Sequence, residues 1–443
     1  MNVKQPLIYT LSGSLALILS TNTSATSFQI LEQSPAYLGQ AFSGTASYVS
    51  DASSIFFNPA AIGELEGSHL TVAGNAIFTR AKFNDQNSNT NGAPGKTDET
   101  GFVPNLYWTY PVAERLTFGL GVNAPFGLSS KYRDDWAGRY LATYSNLELI
   151  NVNAVAALDL GDYWALGIGL NYQRLDVTLE SRVDSTLGIN PQPATDSSAR
   201  IKGDDDDLVA DLSLYFKPSS YTRLGLVWRQ GGEFDLSGDA KFSLNALCSP
   251  GAGYPTGVPP APTTGTICAA MLNARAGDAK TSIALPDTLT FSISQALSER
   301  WWLHVDVART EWSSLQSVNI INTGNNLTIS ELELKYKDTI RYAVGLSYHP
   351  GFAWTWRFGV AADEAPQTNP ELLNPRIPDQ DRIWFSTGFN YELSKNVSID
   401  VGYAYIKVDK SRIENTELQT GHYVEGEFDA SVNILGVQGN WRF

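Results

Sequence analysis

Apolar and polar residues alternate along most of the chain, from about residue 68 to its end. The segment LTFGLGV (116–122) places leucine, phenylalanine and valine on one face of an extended chain, and threonine and glycine on the other. A period of two residues is typical of a β-strand whose two faces meet different surroundings. The pattern therefore predicts a chain built mainly of strands, and it recurs in WALGIGLNYQ (164–173), WTWRFGV (354–360) and VSIDVGYAY (397–405).

The polar face of these strands and the aromatic content distinguish between two all-β architectures. A soluble sandwich would also alternate, but 11 Trp, 20 Tyr and 19 Phe fit the aromatic girdles of an outer-membrane barrel. Closing the sheet satisfies every backbone hydrogen bond in hydrocarbon, with lipid outside and a wet lumen inside. On this interpretation the lumenal face carries glycine together with Asn171, Asp211, Arg229, His304, Arg357 and Asp400.

The connections between strands alternate in length, as they do in bacterial barrels with short periplasmic turns and long outer loops. The spacing predicts a transmembrane antiparallel β-barrel of about 14 strands over residues 67–443. Short connections are expected at 112–115, 161–163, 218–221, 298–300, 349–352 and 393–396, and long ones at 84–100, 127–146, 183–206, 238–282, 362–382 and 407–423.

The first 66 residues lack this alternation and divide into two parts. Residues 1–25 have one lysine, a short apolar stretch and small residues before Ala25, which predicts a signal peptide cleaved after that alanine. Residues 26–66 contain Ile55, Phe56 and Phe57 and are too apolar for a disordered arm. We expect them to form a plug, or hatch, inside the lumen. No segment has about 20 uninterrupted apolar residues, so no transmembrane helix is predicted.

The net charge and the cysteine content argue against several kinds of partner and site. The net charge of -15 and the absence of a basic stripe argue against nucleic acid as a partner. Cys248 and Cys268 are the two cysteines of an exported chain, which favours a disulfide within one long loop. Two free thiols or a partial metal site fit less well, because neither cysteine has histidine or another cysteine close by. No cofactor is expected.

Several blocks of the chain resemble the FadL family of outer-membrane long-chain fatty acid transporters, which also includes aromatic-hydrocarbon uptake channels. One departure is Leu31, where some members carry asparagine, and the loop with both cysteines is not a general family feature. The blocks that carry the resemblance are SFQILEQS (27–34), LGQAFSG (38–44), DASSIFFNPA (51–60), VNAPFGL (122–128), WAGRY (136–140), LPDTLTFSIS (285–294), YKDTIRYAVG (336–345) and IPDQDRIWFSTG (377–388).

The resemblance implies a barrel of 14 strands plugged by its N-terminal hatch, in the outer membrane of a Gram-negative bacterium. Apolar outer loops would capture a ligand, here around 136–144 and 267–277. The ligand would bind inside the barrel, with Phe28 against its chain and Lys337 near a carboxylate. Arg182 is a second candidate cation, although it falls one position off in a gapless comparison.

The resemblance also implies a moving hatch and a lateral exit. Asn58, Pro59 and Ala60 match the family's hatch motif, and a proline after an asparagine makes a stiff turn. A bend in the third strand would open a gap between Asn123 and Gly127, because Pro125 has no N–H for the ladder. A purely structural turn and an ordinary strand end are the alternatives at these two places.

The expected function is uptake of long-chain fatty acids, and uptake of toluene-like hydrocarbons is the alternative. A general porin would not need the packed hatch segment, and an outer-membrane phospholipase or protease would need a nucleophilic arrangement around a histidine. His69, His304, His349 and His422 show no such arrangement in sequence. The protein is therefore expected to be no enzyme.

Outer-membrane lipid and lipopolysaccharide are expected as surroundings of a monomeric barrel. The chain printed here ends with Phe443, on a strand with one apolar face. A terminal aromatic residue resembles the signal by which barrels reach their assembly machinery, which is therefore an expected partner.

Overall fold

The computed structural model describes residues 27–258, 260–417 and 420–443, and the predicted signal peptide lies outside these ranges. Twenty strands of the described residues belong to one sheet. The strands are β1 His69–Asp85, β2 Lys96–Ala113, β3 Leu116–Asn123, β4 Gly127–Lys131, β5 Tyr144–Asp159, β6 Trp164–Val183, β7 Ser197–Ser219, β8 Thr222–Arg229, β9 Glu233–Ser243, β10 Gly277–Ala284, β11 Thr288–Ala296, β12 Trp301–Thr310, β13 Ser317–Asn322, β14 Thr328–Glu333, β15 Thr339–Tyr348, β16 Trp354–Asp363, β17 Arg382–Ser394, β18 Val397–Val408, β19 Ser411–Thr416 and β20 Tyr423–Arg442.

Pairing between the first and last strands closes the sheet into a barrel. β1 pairs antiparallel with β20 over its whole length, from His69 opposite Arg442 to Asp85 opposite Gly426. Three crossings are interrupted and consist of β3 with β4, β8 with β9, and β10 with β11. β13, β14 and β19 only extend the sheet beyond the outer ends of the crossings. The described residues therefore form the 14-stranded antiparallel barrel that the alternation predicts.

The apolar face of the strands points outward and forms a lipid-facing belt. Exposed large side chains recur at every second position, and Phe102 keeps 69% of its surface exposed. No helix among the described residues is long and apolar enough to cross a membrane. Other members of the belt are Phe78, Leu106, Leu120, Ile168, Leu170, Leu212, Phe291, Val344, Phe358, Phe385 and Val437.

The strands run further outward than the sequence predicts. β7 begins at Ser197, inside the loop expected at 183–206, and β10 begins at Gly277, inside the loop expected at 238–282. The outward face of these extensions is polar, and their inward face carries small or apolar residues such as Ile201 and Ala279, so the apolar-outward alternation of the membrane crossings ends although the ladder of hydrogen bonds continues. A further outer connection at 311–338, which contains β13 and β14, was not expected from the spacing.

The plug, defined here as residues 27–64, lies inside the barrel ahead of β1. It contains two short helices, α1 Pro35–Leu38 and α2 Ser54–Phe57, and the 3₁₀ helix Pro59–Glu64. Its apolar side chains pack against inward-facing side chains of the barrel, and Leu38, Ile55 and Ile62 are completely buried. The lumen therefore supplies the cover that this apolar segment needs.

Inward-facing glycines bring the plug backbone close to the wall. A Cβ added at Gly359 would lie 2.1 Å from the carbonyl carbon of Gln40, and one added at Gly167 would lie 2.2 Å from the amide nitrogen of Ala60. Contacts under 3.0 Å require the backbone to shift. At these positions the glycines therefore make room for the plug backbone. The sequence pattern predicts instead that the inward-facing residues line a water-filled lumen.

Candidate functional site

An apolar cluster occupies the lumen beside the first described residues. Phe28 is only 5% exposed, and its ring centroid lies 5.0 Å from that of Trp312 and 6.0 Å from that of Phe126. We call this group the Phe28 cluster. Its buried members are Phe28, Phe126, Leu147, Leu149, Leu175, Phe234, Leu236, Ile283, Leu285, Trp312, Leu315, Leu334 and Tyr336.

Interruptions of the barrel strands bring several of these side chains together. The break between β3 and β4 holds Phe126, the break between β10 and β11 holds Leu285, and the 3₁₀ helix Trp312–Ser314 follows β12. Pro125 and Pro286 lie in the first two breaks, where the absence of an N–H stops the ladder. The Phe28 cluster therefore lies where the regular strands of the sheet are interrupted.

The N-terminal segment, residues 27–33, closes the break in the third crossing. The amide of Ile30 donates to the carbonyl of Pro125 at 2.8 Å, and the amide of Gly127 donates to the carbonyl of Phe28 at 3.0 Å. The Gln33 side chain donates to the carbonyl of Ala124 at 2.8 Å. These bonds replace the ladder that the interruption leaves open, and the segment that covers the gap also contributes Phe28 to the cluster.

Polar groups form a rim beside the Phe28 cluster. Ser27 Oγ lies 3.1 Å from the Tyr336 hydroxyl. The Arg382 guanidinium donates to the Ser27 carbonyl at 3.2 Å and to Asp379 Oδ1 at 2.7 Å. Burial raises the pKa of Asp379, which the neighbouring Arg382 opposes. A cation is thus present next to the apolar cluster and next to the N-terminal segment.

A cavity of about 690 Å³ opens among the outer loops. Its walls mix apolar side chains with both signs of charge, and three arginines are among them. The cations are Arg182, Arg275 and Arg376, and the apolar residues include Leu179, Val183, Ile201, Phe242, Leu272, Val318, Ile320 and Ile329.

Arg376 is the most buried of the three cations in the cavity wall. Its Nη1 donates to the Tyr144 carbonyl at 2.9 Å and to Ser145 Oγ at 3.0 Å. Among the residues that the structure describes, it forms no ion pair. Burial lowers the pKa of Arg376 to about 10, so the guanidinium stays charged at neutral pH. The cavity therefore offers a guanidinium without a direct ion pair in the described part of the chain, in a wall that also carries six carboxylates.

An apolar track joins this cavity to the Phe28 cluster along the inner wall. The inward face of β9 consists of Phe234, Leu236, Gly238, Ala240 and Phe242, with no polar side chain between them. At about 3.3 Å per residue these positions span roughly 26 Å. Phe234 and Leu236 belong to the Phe28 cluster, and Phe242 lines the cavity. The two sites are therefore connected by one continuous apolar strand face, of which Phe234, Leu236 and Ala240 are buried by neighbouring side chains.

Buried polar contacts fasten the rest of the plug to the wall. Asp306 of β12 accepts hydrogen bonds from the amides of Gly44 and Thr45. Arg341 of β15 donates to the carbonyl of Ala41. Arg357 and Asp400, both almost fully buried, form an ion pair within the wall, and Gln438 donates both to Asp400 and to Asp51 of the plug. Because these contacts all lie after residue 33, the N-terminal segment is attached by a different set of bonds.

The chain matches the family model described as "Outer membrane protein transport protein (OMPP1/FadL/TodX)" over residues 16–443. This chain belongs to that family. It is 25% identical over 453 residues to the "Long-chain fatty acid transport protein" of Escherichia coli (strain K12), with 96% of each chain covered. It is 26% identical over 458 residues to "Outer membrane protein P1" of Haemophilus influenzae, with 96% of this chain and 97% of that protein covered.

Solved structures confirm the fold of this OMPP1/FadL/TodX family member. A Pseudomonas aeruginosa FadL homologue superposes with a TM-score of 0.83 at 21% identity, covering 94% of this chain and all of that one. The Pseudomonas putida toluene transporter TodX superposes with a TM-score of 0.69 at 16% identity, covering 94% of this chain. Membership places the chain among outer-membrane transport proteins of Gram-negative bacteria rather than among enzymes.

The residues singled out by the family resemblance lie in different parts of the molecule. Phe28 lies in the apolar cluster, and Arg182 lies in the wall of the outer cavity, where it pairs with Asp134. Lys337 follows the buried Tyr336, but its own side chain is exposed and lines neither the cluster nor the cavity. The structure thus brings Phe28, Lys337 and Arg182 into no single group.

The family's hatch motif forms a compact turn. Asn58 is fully buried and caps the 3₁₀ helix, because its side chain accepts from the Ala60 amide at 3.0 Å and donates to the Ala46 carbonyl at 2.6 Å. Pro59 takes the first helical position. Ala60 also donates to Ser213 Oγ of β7 at 2.9 Å. The motif therefore joins two parts of the plug and the wall.

Asn123, at the end of β3, points along the wall rather than into the gap. Its side chain donates to Asn153 Oδ1 and accepts from Asn151 Nδ2, both at 3.0 Å. The exit predicted between Asn123 and Gly127 therefore coincides with the break at 124–126, and Asn123 marks the last regular position before it.

Two cations near the site, Arg376 and Arg382, were missed by the sequence analysis. Arg382 lies within the block IPDQDRIWFSTG (377–388), and Arg376 immediately precedes it. The resemblance rested on the block as a whole and singled out neither arginine. The signal that identifies them is burial without full pairing, which is a property of the folded molecule.

The predicted disulfide between Cys248 and Cys268 is present in the loop that follows β9. Cys268 lies in helix α3 Thr264–Arg275, which also carries Leu272. Both cysteines are buried with Leu272 against Phe242. The disulfide therefore holds α3 at the wall of the outer cavity.

Proposed function

We propose that the protein takes up long-chain fatty acids across the outer membrane, from the outer cavity to a lateral exit in the barrel wall. The observation that carries this proposal is the apolar track, which runs from the cavity to the Phe28 cluster without a polar interruption on β9. Relatives whose names describe long-chain fatty acid transport support the choice of ligand.

Capture would take place in the outer cavity. Its apolar walls give the acyl chain a surface to leave water, and exposed apolar surface of this kind marks a binding site in a folded protein. Arg376 and Arg182 lie at its wall among six carboxylates, so the fatty acid carboxylate would be held by direct contact with a guanidinium and not by the overall charge of the cavity. Because Arg182 is already paired with Asp134, Arg376 is the better partner at this stage.

Binding in the Phe28 cluster would then be driven by the acyl chain. Burying a chain of about 14 methylenes contributes roughly 11 kcal/mol gross at about 0.8 kcal/mol each. The carboxylate needs a cation, because a buried unpaired charge is costly. Arg382 lies at the rim of the cluster, and Lys337 is the cation predicted from the family resemblance.

Release would require the N-terminal segment to leave the break in the third crossing. Phe28 contributes a ring to the cluster and its carbonyl to Gly127, so a ligand that displaces the ring weakens the contacts across the gap. The rest of the plug stays fastened by Asp306, Arg341 and the Asn58 turn. A gap at 124–126 would let the apolar chain pass sideways into the membrane.

Uptake of aromatic hydrocarbons is the second candidate. It is favoured by the aromatic rings of Phe28, Phe126 and Trp312 in the cluster, and by the likeness in fold to a toluene transporter. A hydrocarbon has no carboxylate, so it would use the same track without Arg376, Arg382 or Lys337.

Uptake of labelled oleate and labelled toluene separates the two candidates, in cells that lack their own transporter and express this chain. We expect oleate uptake, with a large loss in Arg376→Gln and a smaller loss in Arg182→Gln. Lys337→Gln tests the cation predicted from the family. Lys395→Gln, in an exposed periplasmic turn, is the matched control and should leave uptake unchanged. Uptake of toluene alone would overturn the fatty acid assignment.

A further inference from the structure

Basic side chains gather on one sector of the outer surface, just beyond the lipid-facing belt. We call this group the basic sector. All of its members are exposed and lie on neighbouring crossings of the barrel, β18, β1, β2 and β4, around the closing strand β20. The members are Arg80, Lys82, Lys96, Lys131 and Lys407.

Strand register places like charges directly opposite each other in this sector. Lys82 of β1 is paired in register with Lys96 of β2 and, on its other side, with Asp429 of β20. Directly opposite side chains lie about 5 Å apart at Cβ, and like charges there are destabilising. Asp98 contacts both Arg80 and Lys96, so one carboxylate serves two cations. The sector therefore holds more positive charge than its own carboxylates balance.

Three lysines of the basic sector make no direct contact with a carboxylate of the described residues, although Asp429 lies opposite Lys82 in register. Lys82, Lys131 and Lys407 form no ion pair with any residue that the structure describes. Lys407 lies opposite Ser431, which in turn lies opposite Arg80, so Lys407 and Arg80 face each other across one neutral residue. An external anion would have several donors within reach.

The height of the basic sector matches the boundary between hydrocarbon and head groups. Phe78, 45% exposed, is the last large apolar residue on the outward face of β1, and Arg80 follows two positions later. Two residues of strand correspond to about 7 Å along the chain. Phosphate groups of a lipid whose acyl chains cover Phe78 and Phe102 would therefore lie level with these cations.

Another part of the rim has the opposite charge at the same height. Asp176, Asp204, Asp206 and Asp235 are exposed on the outward faces of β6, β7 and β9, and Arg174 pairs with two of them. An anionic head group is repelled there unless divalent cations intervene. The charge around the rim is therefore uneven. Direct contact with phosphate is favoured at the basic sector and disfavoured at the acidic one.

We propose that the basic sector is a binding site for the phosphorylated head group of the glycolipid in the outer leaflet. The phosphates would lie between Lys82, Lys131 and Lys407, while the acyl chains cover the belt below. Charge-assisted hydrogen bonds from ammonium groups to phosphate oxygens hold the head group. The inference rests on the outer-membrane location of the chain and is independent of the compound that it transports.

Native mass spectrometry of the purified barrel tests the site with bisphosphorylated lipid A. We expect the triple variant Lys82→Gln, Lys131→Gln, Lys407→Gln to bind lipid A about 100-fold more weakly, since each lysine near an anionic lipid surface contributes about fivefold. The control Lys202→Gln, Lys241→Gln, Lys280→Gln removes the same charge from outward positions on β7, β9 and β10 and should change binding by less than about fivefold.

Two further arms identify the chemistry that is recognised. Lipid A without its phosphates should bind the unchanged protein as weakly as the intact lipid binds the triple variant. Inorganic phosphate should not displace bound lipid A at millimolar concentration, because it lacks the acyl chains. Equal binding by the triple variant and the unchanged protein, equal losses in both triple variants, or displacement by inorganic phosphate would overturn the proposal.

Discussion

Glu32 lies in the N-terminal segment with its carboxyl group buried in the lumen. Burial raises the pKa of Glu32 from 4.5 to about 7, while the nearby Arg382 and Arg341 oppose the rise and Asp363 adds to it. Its backbone carbonyl accepts from Asn75 at 2.7 Å, which fixes its place against β1. Docking of the N-terminal segment against the wall is therefore coupled to protonation of the Glu32 carboxyl group.

The docked N-terminal segment should be less stable at high pH. The docked state holds the Glu32 proton more tightly than the released state, so docking is strongest below about pH 4.5 and weakens as pH rises toward about 7. Hydrogen exchange of residues 27–33, corrected for the intrinsic rate, should show more opening at pH 8 than at pH 5. Glu32→Gln should abolish this dependence, and an unchanged slope in that variant would contradict the assignment.

A second buried charge, Arg139, holds the outer loops together. Its guanidinium donates to Asp196 Oδ2 at 2.6 Å and to the Asn91 carbonyl at 3.0 Å. Both side chains of the pair are completely buried, and burial raises the pKa of Asp196 against the effect of Arg139. The adjacent Tyr140 stacks on His422 and lines the outer cavity.

Arg139→Ala should open these loops. Removing one partner of a buried ion pair costs about 3–5 kcal/mol, because the remaining charge is left in the interior. Limited proteolysis should therefore cut the loops around Asn91 and Asp196 much faster than in the unchanged protein. Arg133→Ala is the control, since the Arg133–Asp135 pair in the same loop is exposed and screened by solvent, so its loss should have little effect on stability. Similar cleavage rates in the two variants would contradict this view.

The interrupted third crossing and the N-terminal segment form one unit at the scale of elements. A Cβ added at Gly127 would lie 2.6 Å from Ile30 Cδ1, the flexible end of a side chain in the N-terminal segment. An isoleucine end can rotate away from a methyl group, but not from a larger branched side chain.

Gly127→Leu should displace the N-terminal segment and place its own bulky side chain in the gap, so it should block the exit and impair uptake. Hydrogen exchange at residues 27–33 should increase, while the barrel keeps its heat-modifiable mobility on gels. The double variant Gly127→Leu, Ile30→Ala should recover part of the protection, because it removes the side chain that clashes. Normal uptake by Gly127→Leu would rule out this exit.

The disulfide acts on one element, the loop that carries α3. Cys248 and Cys268 are 20 positions apart, and closing a loop of this size contributes about 3 kcal/mol in the chain-entropy model. Replacing both by serine should increase hydrogen exchange in Thr264–Arg275 and weaken capture of oleate, while barrel stability stays unchanged. A reducing agent should reproduce the effect in the unchanged protein and add nothing in the variant.

At the scale of the whole molecule, the closing pair β1–β20 leaves Phe443 at the edge of the barrel. Its amide donates to the Ser68 carbonyl at 2.9 Å, and its side chain is 72% exposed. The ring therefore adds little to the stability of the finished barrel. The role predicted for it is therefore in assembly of the barrel and not in the stability of the folded protein.

Deleting Phe443 should lower the amount of inserted barrel without lowering its melting temperature once it is folded. Quantitative blots of outer-membrane fractions give the first measure, and thermal unfolding of the purified variant gives the second. Phe443→Tyr keeps a terminal aromatic ring and should insert normally. Unchanged insertion after deletion would count against recognition through this residue.

The barrel class was predictable because alternation is a local property. Each strand shows its lipid-facing side at every second residue, and the apolar residues of the plug, such as Ile55 and Phe57, show that this segment needs cover. The outer parts of β7 and β10 were missed because their outward face is polar there, so the large apolar side chains that mark the lipid-facing side are absent. A period of two is visible only where the two surroundings differ.

The candidate site was predictable only in outline. Phe28 and the gap beside Gly127 came from local motifs, whereas Trp312, Leu285 and Arg376 come from distant parts of the chain. Lys337 was predicted from a matching motif, but its side chain is exposed. A motif does not determine which way a side chain points. Whether a side chain is buried or paired depends on all of its neighbours in the folded molecule.

The sequence by itself determined the barrel, the plug and the family, since hydrophobic period, composition and motif order are properties of the chain. The tertiary structure decided where strands break, that the N-terminal segment fills the break, and which cations stay unpaired. The physical reason is that closure brings strands from opposite ends of the chain around one lumen. Contacts across that lumen have no local signature.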